Sequence, residues 1–195
     1  MTDIPKYAKI RSFIAIDLPA VIVEGLKGIQ GKLKEGNAKV SWVKPENIHL
    51  TLKFLGEVEE KSLEDILCVI KEAASSHRAI NLSVEGLGCF PSISNPRVVW
   101  IGIRSDAESI LSLQRDIEKG LEPIGFRREK RIYHPHLTLG RIRSLKDRKC
   151  WKEMVDRFKD IRLGSFEADR VIFFKSDLNP KGAVYTKLGE AFFRN

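Results

Sequence analysis

His49-Leu50-Thr51-Leu52 and His136-Leu137-Thr138-Leu139 are the same four residues in two distant parts of the chain. Each copy lies in a stretch of alternating residues that predicts a β-strand. Because side chains alternate between the faces of a strand, each histidine shares a face with the threonine two positions on. The repeat therefore predicts two strands, each with an imidazole and a hydroxyl on one face and leucines buried on the other.

The same alternation extends beyond the first copy of the motif. It places Lys53 on the face of His49 and Thr51, where its charge would make the surroundings of the imidazole more positive. The opposite face is predicted to pack into the core through Ile48, Leu50, Leu52 and Phe54.

Helical and strand patterns are interspersed along the chain, which predicts an α+β fold with largely antiparallel sheet. Four helices are predicted from apolar spacing between Ile22 and Leu33, Leu63 and Ile70, Ile110 and Leu121, and Trp151 and Phe158. Ser62 and Asp106 are candidate N-caps of the second and third. The predicted strands are Ser12–Asp17, Val40–Val43, Ile48–Leu55, Ile80–Leu87, Val98–Ile103, His136–Ile142, Glu167–Phe174 and Ala183–Leu188.

Composition narrows the class of protein. The chain has 195 residues, 43% of them hydrophobic and 31% charged, which is enough apolar material for a core. No segment is long and apolar enough to span a bilayer, and the start lacks the pattern of a signal peptide, so we expect a cytoplasmic protein. The three separated cysteines predict neither a disulfide framework nor a zinc site.

The positive charge is concentrated in one stretch. The net charge is +8, and residues 127–149 hold nine lysines and arginines against two acidic residues. Such a stretch is either a solvated face or a rim that attracts phosphate, and charge alone does not separate the two.

Two imidazoles and two hydroxyls facing across a cleft suit phosphodiester cleavage. One imidazole can take a proton from the attacking water while the other gives a proton to the departing oxygen, because the histidine pKa lies near working pH. The hydroxyls of Thr51 and Thr138 can donate hydrogen bonds to the phosphate oxygens as charge builds there. We therefore predict His49, His136, Thr51 and Thr138 as catalytic residues, with no metal ion and no cofactor.

These motifs and their surroundings resemble the two-histidine (2H) phosphoesterases, and within them the RNA 2′,3′-cyclic phosphodiesterases, also called 2′-5′ RNA ligases. The similarity covers nearly the whole chain, with no departure at a motif position. Besides the two His-x-Thr-x motifs it includes Arg11–Ile16, Trp42–His49, Phe90–Pro91, Pro96–Trp100, Pro135–Arg141 and Ser176–Leu188.

The resemblance implies one bilobal domain over residues 1–195, with related lobes of mainly antiparallel sheet, helices packed outside, a central cleft and one motif per lobe. It implies hydrolysis of a 2′,3′-cyclic phosphate to a 2′-phosphomonoester, with His49 as general acid and His136 as general base. It also implies that Arg141 contacts the phosphate. Strict alternation puts Arg141 on the face opposite His136, so a bulge or bend at Gly140 would have to re-aim it; otherwise Arg141 is an exposed strand-end residue.

Three other functions remain open at this point. Ligation of RNA ends through a 2′-5′ linkage would use the same residues in reverse. A non-catalytic RNA-end binder would not need two titratable groups, and a metal-dependent phosphoesterase would be sensitive to chelators. The expected partner is RNA with 2′,3′-cyclic phosphate ends, with tRNA fragments as one candidate and no obligate protein partner evident.

Overall fold

The computed structural model describes residues 9–105, 108–180 and 182–194. Its helices are α1 (Ala20–Leu33), α2 (Leu63–Ser75), α3 (Ser109–Leu121) and α4 (Arg148–Phe158). Its strands are β1 (Lys9–Ile16), β2 (Ala38–Trp42), β3 (Leu50–Glu59), β4 (Ile80–Phe90), β5 (Val98–Ser105), β6 (His136–Leu145), β7 (Arg162–Ala168), β8 (Arg170–Asn179) and β9 (Gly182–Phe192).

Within the described ranges these strands form one sheet in the order β7-β4-β5-β6-β3-β1-β8-β9. Strand β2 also pairs with β6, on the edge that meets β3 and opposite β5. Neighbouring strands run antiparallel. In the described structure the sheet narrows to a single residue pair, Leu50 with Leu137, where β3 meets β6. This junction divides it into a β3-β1-β8-β9 half and a β6-β5-β4-β7 half, and the predicted α+β class with antiparallel sheet is confirmed.

Each half of the sheet is covered on its apolar face by two helices. Helix α2 lies against β8 and β9, and α3 lies against α2 and β3. Helix α1 contacts β7, and α4 contacts β4. Each fully buried aliphatic side chain stabilises the fold by about 1.5–3 kcal/mol. The helix residues that face the sheet are those that the helical spacing predicted. They include Ile22, Leu26, Ile29, Ile66, Ile70, Ile110, Leu113, Ile117, Trp151 and Val155.

Two details of the predicted elements are corrected. The predicted strand Glu167–Phe174 is in fact the end of β7 and the start of β8, which are separated at Asp169. The chain crosses there from one half of the sheet to the other, since β7 pairs with β4 and β8 pairs with β1. Ser62 precedes α2 as predicted, but its side chain makes no capping hydrogen bond in the described structure. The other candidate cap, Asp106, lies outside the described residues.

Candidate active site

His49 lies immediately before β3, two residues after a turn of 3₁₀ helix formed by Pro45–Asn47. Its Nδ1 is 2.9 Å from the carbonyl oxygen of Asn47. The side-chain Nδ2 of Asn47 in turn donates to the carbonyl of Ala183 in β9, at 2.7 Å. A carbonyl can only accept, so Nδ1 carries the proton and Nε2 is the nitrogen left for substrate chemistry.

His136 is held in the same way at the start of β6. Its Nδ1 is 2.6 Å from the carbonyl oxygen of His134, again two residues upstream. This fixes the same tautomer, with the proton on Nδ1 and the basic nitrogen at Nε2. The two imidazoles therefore have matching local supports, although they lie on different halves of the sheet.

The junction of β3 and β6 brings the two motifs side by side. Leu50 pairs with Leu137, and both leucines are fully buried. In this antiparallel register the next positions place His49 beside Thr138, and Thr51 beside His136. Both threonines are half-buried. The four predicted catalytic residues thus lie together on the face opposite the buried leucines.

A β-bulge re-aims Arg141. In the pairing of β5 with β6, Trp100 is opposite Thr138 and Val99 is opposite Gly140, so Leu139 is the extra residue. One extra residue reverses the alternation beyond it, which brings Arg141 to the face of His136 and Thr138. The bulge lies one residue before the predicted position.

The equivalent bulge in β3 makes two sequence predictions wrong. Ala15 pairs with Thr51 and Ile14 with Lys53, so Leu52 is the extra residue. Phe54 is therefore not in the core: its side chain is 60% exposed, on the same side as Thr51. Lys53 does not face the cleft, because the same reversal turns it inward, where it is 4% exposed.

The buried Lys53 takes part in a polar network behind the motif strand. Its Nζ donates to Glu118 Oε2 of α3 at 2.6 Å and to the carbonyl of Arg127 at 2.7 Å. The other carboxylate oxygen of Glu118 accepts from Gln114 Nε2 at 3.1 Å. This network ties β3 to α3 and to the start of the basic segment. Tyr133, six residues further along that segment, ties it to β3 a second time, since its hydroxyl donates to the carbonyl of Thr51 at 2.9 Å.

Aromatic rings surround both imidazoles. The ring of Phe13 stacks on His49 at a centroid distance of 4.5 Å, and Tyr185 meets His49 edge-on at 5.3 Å. Phe90 meets His136 edge-on at 5.0 Å, and Trp100 lies 6.3 Å from it. These rings exclude water from one side of each imidazole.

Desolvation makes both histidines harder to protonate. Burial lowers the pKa of His49 to about 4, against the opposing effect of the hydrogen bond to Asn47. Burial is also the main cause that lowers the pKa of His136; the charges of His134 and Arg141 act in the same direction, and the hydrogen bond to the His134 carbonyl opposes them. In the free protein both imidazoles are therefore predominantly neutral at pH 7.

Tyr185 of β9 is a cleft residue that the motif analysis did not single out. Burial raises the pKa of its hydroxyl, whereas the charges of Arg11 and Arg141 act to lower it. The phenol thus lies within electrostatic reach of cations from both halves of the sheet, beside His49. Its place depends on the pairing of β8 with β9, which the strand pattern alone did not give.

In the ranges that the structure covers, no group of three or more His, Cys, Asp or Glu side chains is arranged to hold a metal ion. None of the described helices is long and apolar enough to cross a membrane.

Two strand-borne His-x-Thr pairs at the junction of two antiparallel half-sheets are the arrangement of the two-histidine phosphoesterases. The family described as LigT like Phosphoesterase matches residues 16–100 and, a second time, residues 101–185, so that each match contains one of the two motifs. The chain belongs to this family, and the predicted resemblance is confirmed.

Relatives and solved structures agree with this assignment. The chain is 36% identical over 180 residues to a protein of Methanothermobacter thermautotrophicus named RNA 2′,3′-cyclic phosphodiesterase, covering 92% of this chain and 97% of that one. A protein of the same name from Methanocaldococcus jannaschii is also 36% identical, with 92% and 99% covered. The crystal structure of TT0787 of Thermus thermophilus superposes with a TM-score of 0.81 at 28% identity, covering 95% and 98%. Escherichia coli LigT complexed with 3′-AMP gives 0.76 at 25% identity, covering 96% and 100%.

Proposed function

We propose that this protein hydrolyses 2′,3′-cyclic phosphate ends of RNA to 2′-phosphomonoesters, with His49 and His136 as a metal-independent acid–base pair. The observation that supports the proposal is the junction at Leu50 and Leu137, which brings two Nδ1-anchored imidazoles to one face of the sheet. The names of the archaeal relatives support the substrate class.

The reaction needs one proton taken up and one delivered. The imidazole of His136 removes a proton from water as the water oxygen bonds to phosphorus. The bond from phosphorus to the 3′ oxygen breaks, and the imidazolium of His49 gives its proton to that oxygen. The product carries a 2′-phosphate and a free 3′-hydroxyl, and the two histidines have exchanged protonation states.

The negative charge that builds on the non-bridging phosphate oxygens needs hydrogen-bond donors in fixed positions. Thr51 and Thr138 lie on the face of the imidazoles, and their hydroxyls donate to the non-bridging oxygens as negative charge grows. The guanidinium of Arg141 binds the same group with parallel N–H donors, as a planar fork suits a phosphate.

The pKa values set a condition on this assignment. The resemblance makes His49 the acid, yet burial lowers the pKa of His49 to about 4 in the free protein. A bound phosphate is an anion in contact with the imidazole, and a close opposite charge raises a histidine pKa. Substrate binding therefore supplies the conditions for protonating His49, so that the acid is charged in the complex.

Turnover of a short RNA that ends in a 2′,3′-cyclic phosphate tests the proposal, with excess EDTA present and with 2′- and 3′-phosphate products resolved. We expect conversion to the 2′-phosphate at the same rate with and without EDTA. Loss of activity in EDTA would contradict the metal-free mechanism, and a 3′-phosphate product would contradict the assigned leaving group. Joining of a 5′-hydroxyl RNA without net hydrolysis would favour the ligase function instead.

A further inference from the structure

A shallow cavity of about 390 Å³ adjoins the candidate active site at the far end of β6. Among the described residues that line it are four arginines and no carboxylate. One of the four is Arg141, the guanidinium that also acts on His136 and Tyr185. The other three are Arg97, Arg143 and Arg148.

Local structure holds two of these guanidiniums in position. Arg143 is an extra residue in the pairing of β2 with β6, which joins Val40 to Ile142 and Lys39 to Ser144. Its Nε donates to the hydroxyl of Ser41 at 2.9 Å. Arg148 begins α4, and its Nη1 donates to the carbonyl of Ser94 at 2.8 Å. Each bond uses one of five N–H donors, so most of each fork is available to a ligand.

The charge of this cavity is not neutralised by the protein. In the described structure none of its four arginines lies within ion-pair distance of a carboxylate, whereas Arg104 and Arg162 both pair with Glu85. A larger cavity of about 580 Å³ has Glu167 and Asp169 beside its arginines. The four-arginine cavity is therefore the one suited to an anion.

We propose that this cavity binds the internucleotide phosphate next to the terminal nucleotide of the RNA substrate, an inference that rests on the proposed function. A chain that ends in a 2′,3′-cyclic phosphate continues only in the 5′ direction, so its next anion is the phosphodiester one nucleotide upstream. Arg141 borders both places, which lets one strand pass from the cleft into the cavity. The cavity thus selects an RNA end over a free cyclic nucleotide.

The test compares three substrates: a uridine 2′,3′-cyclic phosphate mononucleotide, the corresponding UpU dinucleotide, and the same dinucleotide with an uncharged methylphosphonate link. For the wild-type protein we expect kcat/KM to be roughly 10- to 100-fold higher for the charged dinucleotide than for the mononucleotide, the range for hydrogen bonds to a charged group. The methylphosphonate should lose most of this gain. If it keeps the gain, the sugar or base is recognised and the proposal is wrong.

The variant Arg143→Gln/Arg148→Gln should abolish most of the gain and leave mononucleotide turnover unchanged. A matched control, Lys71→Gln/Lys119→Gln, removes the same charge from exposed positions on α2 and α3 and should keep the gain. An unchanged gain in the arginine variant, or an equal loss on both substrates, would overturn the proposal. If the wild-type protein hydrolyses neither substrate, the proposed function fails separately. Equal affinity of the wild-type protein and the arginine variant for the charged dinucleotide would then overturn the cavity assignment.

Discussion

The two motif strands, β3 and β6, match each other through four residues and differ in the next two. Both have the sequence His-Leu-Thr-Leu, both anchor the histidine Nδ1 to the carbonyl two residues upstream, and both bulge at the final leucine. The fifth residue is then Lys53 in β3 and Gly140 in β6, and the sixth is Phe54 or Arg141. The matching part is the proposed proton-transfer machinery, whereas the cation proposed to bind the phosphate, Arg141, is on β6 alone.

The residues beneath the bulges differ for a packing reason. A Cβ on Gly140 would lie 2.6 Å from Val40 Cγ1, because β2 pairs with β6 there. The carbonyl of Leu139, at the bulge, accepts from Gln30 Nε2 of α1 and from the backbone N–H of Val43, both at 2.9 Å. In the described structure no strand pairs with the edge of β3 that faces β6 beyond Leu50. A long side chain therefore fits there, and Lys53 reaches Glu118.

Removing either imidazole should have the largest effect. We expect His49→Ala and His136→Ala each to lower kcat at least about 10²-fold, the usual scale for a lost general acid or base. The double variant should be scarcely worse than the poorer single one, since the residues act as a unit. Thermal unfolding should confirm that the variants are folded. A folded variant with full activity would remove that histidine from the mechanism.

The second largest effect on activity is expected at the sixth position of the motif strands, where β6 has Arg141 and β3 has Phe54. Arg141→Gln should lower kcat/KM roughly 10- to 100-fold, as a charged hydrogen bond of about 1.5–3 kcal/mol is lost. Phe54→Leu, the matched change in β3, should have a much smaller effect on a mononucleotide substrate, because Phe54 brings no charge to the phosphate. Equal losses in steady-state assays would contradict the asymmetry.

Denaturant unfolding can compare how much the polar contacts behind the two bulges, those of Lys53 and of Gln30, contribute to the free energy of unfolding. Lys53→Met leaves the Glu118 carboxylate buried without its ion-pair partner and should lower the free energy of unfolding by about 3–5 kcal/mol. Lys53→Met/Glu118→Gln should recover part of that loss. Gln30→Leu removes hydrogen bonds to two carbonyls, those of Val43 and Leu139, and should lower it by about 1–3 kcal/mol. A smaller loss for Lys53→Met than for Gln30→Leu would reverse the ranking.

The pH dependence of catalysis should show the lowered histidine pKa values. The base must be neutral, so kcat/KM rises as pH rises through its pKa; the acid must be protonated, so kcat/KM falls above its pKa. Both limbs should lie below the ordinary histidine pKa of about 6.5, because burial lowers both values in the free protein. The limbs of kcat should move to higher pH, since bound phosphate raises the pKa of a histidine in contact with it. A kcat/KM that stays constant up to pH 8 would contradict this.

Local patterns in the sequence predicted the helices, the class of fold and the face shared by each His-Thr pair. What they did not predict depends on pairing between distant strands. The bulges at Leu52 and Leu139 are defined by the pairing with β1 and β5. Strict alternation along a single strand therefore could not predict that Lys53 turns inward or that Phe54 is exposed. The break at Asp169 also depends on strand pairing. The sequence pattern of β7 and β8 is that of one continuous strand, and only their different partners, β4 and β1, separate them.

A substrate with an activated leaving group tests the central claim, that the two imidazoles perform different proton transfers. In a 2′,3′-cyclic phosphate whose 3′ oxygen is replaced by sulfur, the departing thiolate needs no general acid, because a thiol is far more acidic than an alcohol. We predict that His49→Ala recovers most of its lost rate on this substrate, relative to wild type, and that His136→Ala does not. Recovery by His136→Ala alone would exchange the two roles, and recovery by neither would contradict an acid–base pair.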